Sequence, residues 1–190
     1  MSGPGGVFAS EGPEPLPITI RLETPGDEPG VRRVHEAAFP GPEEAAIVDA
    51  IRRLAPAGWQ SIVALTRSGD IVGHVLLSPC PVEGDDGARV GEVLALGPIG
   101  VLPEAQSRGV GSALIAASVS LGIARGVGAI VLLGQPAYYP RFGFGSARDV
   151  GLLPPADAWP DAAWLAKLLP AWGDGIRGTV RYPEAFEPLA

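Results

Sequence analysis

The apolar and polar positions of this chain fall into short alternating runs and a few longer stretches with helical spacing. Ile18, Ile20 and Leu22 alternate with Thr19, Arg21 and Glu23, so 18–24 predicts a half-buried first strand. Thr24 and Asp27 supply turn and N-cap chemistry for a helix over 27–38. A second helix fits 43–54, with Glu43 and Glu44 in its first turn and apolar residues at 46, 47, 51 and 54. SIVALTR, SGD and IVGHVLLSP (61–79) read as strand, turn and strand, a hairpin with glycine in its loop. Residues 80–89, CPVEGDDGAR, read as a polar loop.

The stretch GEVLALGPIGVLP (91–103) reads as a longer apolar strand broken at Gly97-Pro98. Proline cannot donate to a sheet ladder, so this break predicts a bulge that splays the strand and leaves backbone groups unpaired. A helix follows from Gly109 to Arg125, with Val110, Leu114, Ala117 and Leu121 on one face. AIVLL (129–133) is a short apolar strand between Gly128 and Gly134. Strand, helix and strand over 92–133 form a crossover unit, so its two strands should run parallel. An aromatic-rich turn, PAYYPRFGFGSA, occupies 136–147. Beyond it, a helix over 161–169 is expected among Trp159, Trp164 and Trp172, then a late strand in GIRGTVRY (175–182). The whole predicts an α/β fold: a mixed, strongly twisted sheet of six to seven strands, helices on both faces, and a bulged fourth strand.

Composition narrows the setting. The N-terminal MSGPGGVFASEGPEPLP is rich in Gly, Pro and Glu and lacks the basic and apolar regions of a secretory signal. Residues 1–16 therefore read as a disordered lead-in, and 17–190 as a single domain. No apolar run is long enough for a membrane-spanning helix. Cys80 is the one cysteine, which leaves no internal disulfide and makes a cytoplasmic protein the simplest expectation. Two histidines and one cysteine offer no metal-binding spacing.

Net charge is −7, with 14 Lys and Arg against 21 Asp and Glu, which argues against nucleic acid or an anionic membrane as partner. The distribution is uneven. From Ala105 to Arg148 there is no acid, only Arg108, Arg125, Arg141 and Arg148, an island suited to a small anionic ligand.

Inside that island, QSRGVGSALI (106–115) opens the third helix with two glycines. A helix start exposes unpaired N–H groups and a partial positive charge, so it can receive a phosphate, and glycine lets the backbone approach closely. A Walker A loop is excluded because no Gly-Lys-Ser/Thr follows. A dinucleotide fingerprint is excluded because Leu114 stands at the third small position and no acid follows to bind a ribose. A pyrophosphate cradle of another kind survives.

Gln106-Ser107-Arg108-Gly109-Val110-Gly111 resembles the Q/R-x-x-G-x-G/A motif of the GNAT superfamily of acyl-CoA-dependent N-acyltransferases. Tyr138-Tyr139-Pro140-Arg141-Phe142-Gly143-Phe144 resembles that family's later aromatic signature, in the form found in a bacterial branch of predicted N-acetyltransferases. The likeness runs from Ile18 to Phe186. It implies acetyl-CoA as cosubstrate, a small-molecule or peptide amine as acceptor, and no metal. It also implies that Ile99, Gly100 and Val101 offer backbone groups to the pantetheine and acyl carbonyl. Gln106, Ser107, Arg108, Gly109, Val110, Gly111 and Ser112 would hold the pyrophosphate, and Tyr139 would protonate the departing thiolate.

Two positions depart from the family pattern. Leu132 stands where many members carry Asn, with Gln135 the nearest amide, and Ala95 stands where a Glu base occurs in some, leaving Glu92 off register. No residue is singled out as general base. His74, His35 and Cys80 are read as structural rather than as base, ligand or nucleophile. The tail tryptophans are read as core or dimer contacts ahead of a substrate cage. N-Acetyl transfer is the leading expectation. A non-catalytic acyl-CoA-binding or sensing module is the alternative.

Overall fold

A computed structural model describes residues 13–55, 57–156 and 158–189, with side chains as far as Phe186. Most of the expected lead-in, 1–12, lies outside the described residues. Its last residues run beside the turn before the third helix: Leu16 N–H donates to the Arg108 carbonyl (2.9 Å) and Arg108 Nε to the Glu14 carbonyl (3.0 Å).

The strands are β1 (Thr19–Leu22), β2 (Gln60–Leu65), β3 (Ile71–Glu83), β4 (Arg89–Val101), β5 (Ala129–Leu133), β6 (Gly145–Ser146), β7 (Leu152–Leu153), β8 (Trp164–Leu168) and β9 (Gly178–Val180). They form one mixed sheet in the order β1-β2-β3-β4-β5-β8-β6, with β9 bridging β3 and β7. The helices are α1 (Glu28–Ala38), α2 (Glu43–Leu54) and α3 (Val110–Ala124). β4 and β5 are parallel, as the crossover requires.

Helices cover both faces. Val110 and Leu114 of α3 press on Gly73 of β3, whereas Val34 and His35 of α1 press on Gly100 of β4, the partner of His74. Adjacent β3 residues point to opposite faces, so α3 and α1 sandwich the central pair of strands. On the α1 side, Ile47 and Ile51 of α2 form a small core with Leu76 and Phe186.

Several local expectations need correction. Residues 80–83 and 89 are strand, not loop, and only 84–88 make the connection. Cys80 and Val82 alternate inward against Val93, Val180 and Trp164, so their burial overrides the polar neighbours. The 161–169 helix is instead a short 3₁₀ turn (Asp161–Ala163) followed by β8, paired antiparallel along all of β5. An apolar run of that length does not by itself distinguish strand from helix; here Ala129 to Leu133 of β5 supply the ladder. The Asp27 carboxylate does not cap α1. It accepts Arg21 (Nη2, 2.9 Å) and the Thr24 N–H (2.7 Å), and chiefly the Arg21 guanidinium holds it well below the usual carboxylate range.

Helix faces also shift. α2 buries Ala45, Ile47, Val48 and Ile51, leaving Ala46 and Leu54 exposed. α3 buries Ser118 and Gly122 beside Val110, Leu114 and Ile115. Apolar residues surround α3, so its spacing does not select one face. Ser118 satisfies its hydroxyl on the Leu114 carbonyl at 2.8 Å.

The fit of α3 on the sheet depends on close approach at Gly73. A Cβ there would stand 2.8 Å from Val110 Cγ1 and 3.1 Å from Leu114 Cδ1. Gly73→Ala is expected to destabilise the fold by about 1–3 kcal/mol through overpacking, read as a lower denaturant midpoint at unchanged m-value.

Candidate active site

The site begins with a defect in β4. Opposite β3 the register runs Val75 to Ile99 and then Leu77 to Leu96, so Gly97 and Pro98 together face Leu76. Gly97 has φ +147°, a value that glycine accepts and other residues resist, and Pro98 brings no N–H. The β4–β5 ladder is confined to Leu94–Ile130 and Ala95–Val131. Beyond it the two strands part, and a cleft of about 550 Å³ opens between them.

The cleft gathers most of the expected residues. Ile99, Gly100 and Val101 line it from the bulged strand, and Gln106, Ser107 and Gly111 from the turn into α3. Tyr139 lines it from the aromatic segment after β5. Gln106 Nε2 donates to the Val101 carbonyl at 3.0 Å, tying the turn to the strand end. Arg108, Gly109, Val110 and Ser112 do not line the cleft with their side chains. Val110 is buried under the turn, and the Arg108 guanidinium points back to Glu14. These positions shape the turn into α3 without lining the cleft. Ser107 (φ +59°) and Gly109 (φ +86°) bend the chain into α3, and no side chain caps the helix start. Among the described residues, no carbonyl or side chain accepts the N–H groups of Ser107 to Ser112. A helix start left open this way presents donors and partial positive charge to an anion.

Tyr139 packs edge-on against Tyr138 (ring centroids 5.1 Å apart) and Phe144 (5.7 Å). Burial, with a smaller contribution from Tyr138, pushes its phenol up to about 12, so it stays protonated across neutral pH. Leu132 is fully buried in β5, whereas Gln135 reaches the cleft.

Other lining residues come from segments to which the sequence reading gave no leading role in the site. Phe39 and Glu44 come from the α1–α2 connection and the start of α2, and Trp159, Tyr182 and Phe186 from the C-terminal third. The three C-terminal rings form a row, Trp159–Tyr182 and Tyr182–Phe186 each at 5.1 Å. Glu44 is the one charged side chain among the described lining residues. No motif links these segments; only the fold brings them together. Trp164, by contrast, is fully buried and donates Nε1 to the Leu152 carbonyl at 2.8 Å.

Both histidines are buried, and they meet. His35 Nε2 and His74 Nδ1 are 2.7 Å apart, and His74 Nε2 is 2.6 Å from Ser61 Oγ. The Ser61 hydroxyl donates to Glu23, whose other oxygen accepts Arg52 at 2.6 Å. Sequence position gives no sign of this contact, because 39 residues separate the two rings. Burial holds His35 down to about 4 and His74 well below its ordinary value. Cys80 is buried and its thiol is pushed up to about 12, which leaves it no nucleophilic character. Glu92, at the far end of β4, pairs with Arg89 at 2.6 Å.

Comparison with known proteins places this geometry. Residues 29–144 match the family model described as "Acetyltransferase (GNAT) family". The chain belongs to the GNAT acetyltransferase family. Among its relatives, the protein called "Uncharacterized N-acetyltransferase YhbS" from Escherichia coli strain K12 is 30% identical over 174 residues, covering 89% of this chain and 98% of that one. "Uncharacterized N-acetyltransferase YjhQ" of the same strain is 28% identical, covering 90% and 94%. The crystal structure of Escherichia coli YhbS in complex with CoA superposes with a TM-score of 0.80 at 26% identity, covering 93% and 96%. A Brucella melitensis GNAT acetyltransferase in complex with acetyl-CoA gives 0.71 at 32% identity, covering 89% and 97%. Within this GNAT fold, no described helix is long and apolar enough to cross a membrane.

The buried histidines set an acid limit on stability. Below about 6.5 the unfolded rings bind protons that the folded rings refuse, so stability falls as pH drops from about 6.5 toward 4. The slope is up to about 1.4 kcal/mol per pH unit for each ring. Denaturant midpoints are expected to be lower at pH 5 than at pH 7, and equal midpoints would contradict the burial of neutral rings.

Proposed function

We propose that this protein transfers an acetyl group from acetyl-CoA to an amine by direct attack in a ternary complex. One observation carries the reading: Ser107 and Gly111 of the uncapped turn into α3, the bulge of β4 and Tyr139 all line one cleft. The CoA and acetyl-CoA complexes of the two related proteins support the same ligand here. In this reading the N–H groups from Ser107 to Ser112 hold the diphosphate, with Gln106 bracing the turn. The backbone of Ile99, Gly100 and Val101 faces the pantetheine and polarises the acyl carbonyl. Acetyl-CoA supplies an activated acyl group. The amine lone pair bonds to the carbonyl carbon, the carbon–sulfur bond breaks, and Tyr139 gives its proton to the thiolate.

Glu44 suits an acceptor that arrives as a cation. Among the described residues it supplies the cleft's one charged side chain, in a lining that also holds the rings of Phe39, Trp159, Tyr182 and Phe186. Carboxylate and aromatic faces both attract an ammonium group.

The test is free-thiol release from acetyl-CoA across a panel of primary amines, beside CoA binding by calorimetry. Tyr139→Phe is expected to keep CoA affinity while turnover falls on the order of tenfold to a thousandfold. Gly111→Asp, which sets a carboxylate among the cradle amides, is expected to abolish CoA binding in a folded protein. CoA binding with no thiol release from any amine would indicate a non-catalytic acyl-CoA-binding module instead.

A further inference from the structure

Resting on that reading, an acceptor held as an ammonium must lose a proton before its nitrogen can attack, and the β4 position of the family's glutamate base is Ala95, buried to 1% exposure. Among the described residues the cleft lining offers Glu44 as its one carboxylate. Directly behind the Gly100 wall lies a different device. A Cβ on Gly100 would stand 3.3 Å from His35 Nδ1, so that nitrogen packs against a residue that itself lines the cleft. The neighbouring Phe39 ring stacks on His35 at 5.9 Å and lines the cleft itself.

The donor order along the buried chain follows from its far end. The Glu23 oxygens, one of them held by Arg52, accept hydrogen bonds, so Ser61 donates to Glu23. The Ser61 oxygen must then accept from His74 Nε2–H, which leaves His74 Nδ1 as an acceptor. His35 Nε2–H donates to it, and His35 Nδ1 is left with a bare lone pair. That atom is fully buried and has no partner among the described residues. At the other end Glu23, Ser61 and Arg52 line a second cavity of about 370 Å³.

We infer that His35, His74, Ser61 and Glu23 form a proton path from the acetyl-transfer cleft to this second cavity. When the Phe39 ring, which touches both His35 and the cleft, moves aside, a water passes the ammonium proton to His35 Nδ1. His35 gives its Nε2 proton to His74 Nδ1, His74 gives its Nε2 proton to Ser61 Oγ, and Ser61 gives its hydroxyl proton to Glu23. The substrate nitrogen loses one proton, the Glu23 carboxylate gains one and sheds it to solvent, and no electrons move. The weak basicity of both rings suits transit, because neither traps the proton. Among the described residues, the charged groups acting on the path are Asp49 and Arg52 of α2 and Glu23 after β1, with Arg32 of α1 holding Asp49 from the surface; β4 contributes Gly100, which has no charge.

The test uses the full chain with its responsive amine and Ser61→Ala, a variant outside the cleft. Wild-type thiol release should be strong at pH 7. The variant should lose on the order of a hundredfold in kcat there, with much less loss above pH 9, and keep its CoA affinity and KM for acetyl-CoA. Ser61→Thr, which keeps the hydroxyl, should restore kcat. Long-range nitrogen–proton NMR of the wild type should find both rings neutral and protonated at Nε2. Unchanged kcat and pH profile in Ser61→Ala, or His35 protonated at Nδ1, overturns the path while leaving acetyl transfer standing. CoA binding without thiol release from any amine removes acetyl transfer, and the path with it.

Discussion

Everything distinctive about this molecule depends on a broken ladder. A strand that pairs with neighbours on both edges spends all its backbone hydrogen bonds on the sheet and has none for a ligand. β4 escapes that condition at Gly97-Pro98, where two residues face one on β3 and proline has no donor to offer. Pairing with β5 is confined to Leu94 and Ala95, the strands part, and the turn into α3 lies at the mouth of the gap. Had the ladder continued through Val101, no cleft would separate β4 from β5. The open amides before α3 would then face solvent rather than a shaped cavity.

Charge is unevenly placed around the cleft. On one side the segment 105–148 carries four arginines and no acid, and its backbone donors are uncapped. Their side chains are not a uniform anion site. Arg148 pairs with Asp161, and Arg141 lies 3.9 Å from the centre of the Tyr138 ring. In the proposed reading the cradle therefore acts through peptide dipoles rather than arginine side chains. On the other side, Glu44 and a row of rings suit a cation.

The buried His35–His74 pair shows how an acyltransferase cleft without the β4 glutamate can still connect to a carboxylate. Two neutral imidazoles in contact are stable only if each finds a donor or acceptor of the right sense, and the Ser61–Glu23–Arg52 end sets that sense for the whole chain. The His35 Nδ1 lone pair left over packs against Gly100, a residue of the cleft lining. Satisfying a core and serving a reaction are here compatible tasks for the same atoms.

Local chemistry was legible wherever it is written in contiguous residues. The alternation at 18–22, the helix at 43–54, the Gly-Pro break and the glycine turn before α3 all depend on near neighbours, and the residues themselves determine them. So did the likeness to an acyltransferase, since its two signatures are each continuous in sequence. Tertiary structure decided the rest. It turned 164–168 into a strand because β5 was there to pair with it, and Cys80 to Glu83 into strand because Val93 and Val180 bury that edge. It also brought Glu44, Trp159 and Phe186 to one wall, and His35 to His74 across the sheet. Periodicity records which face of an element seeks burial, but not what will cover it; that depends on contacts between segments distant in sequence, and those exist only once the chain has folded.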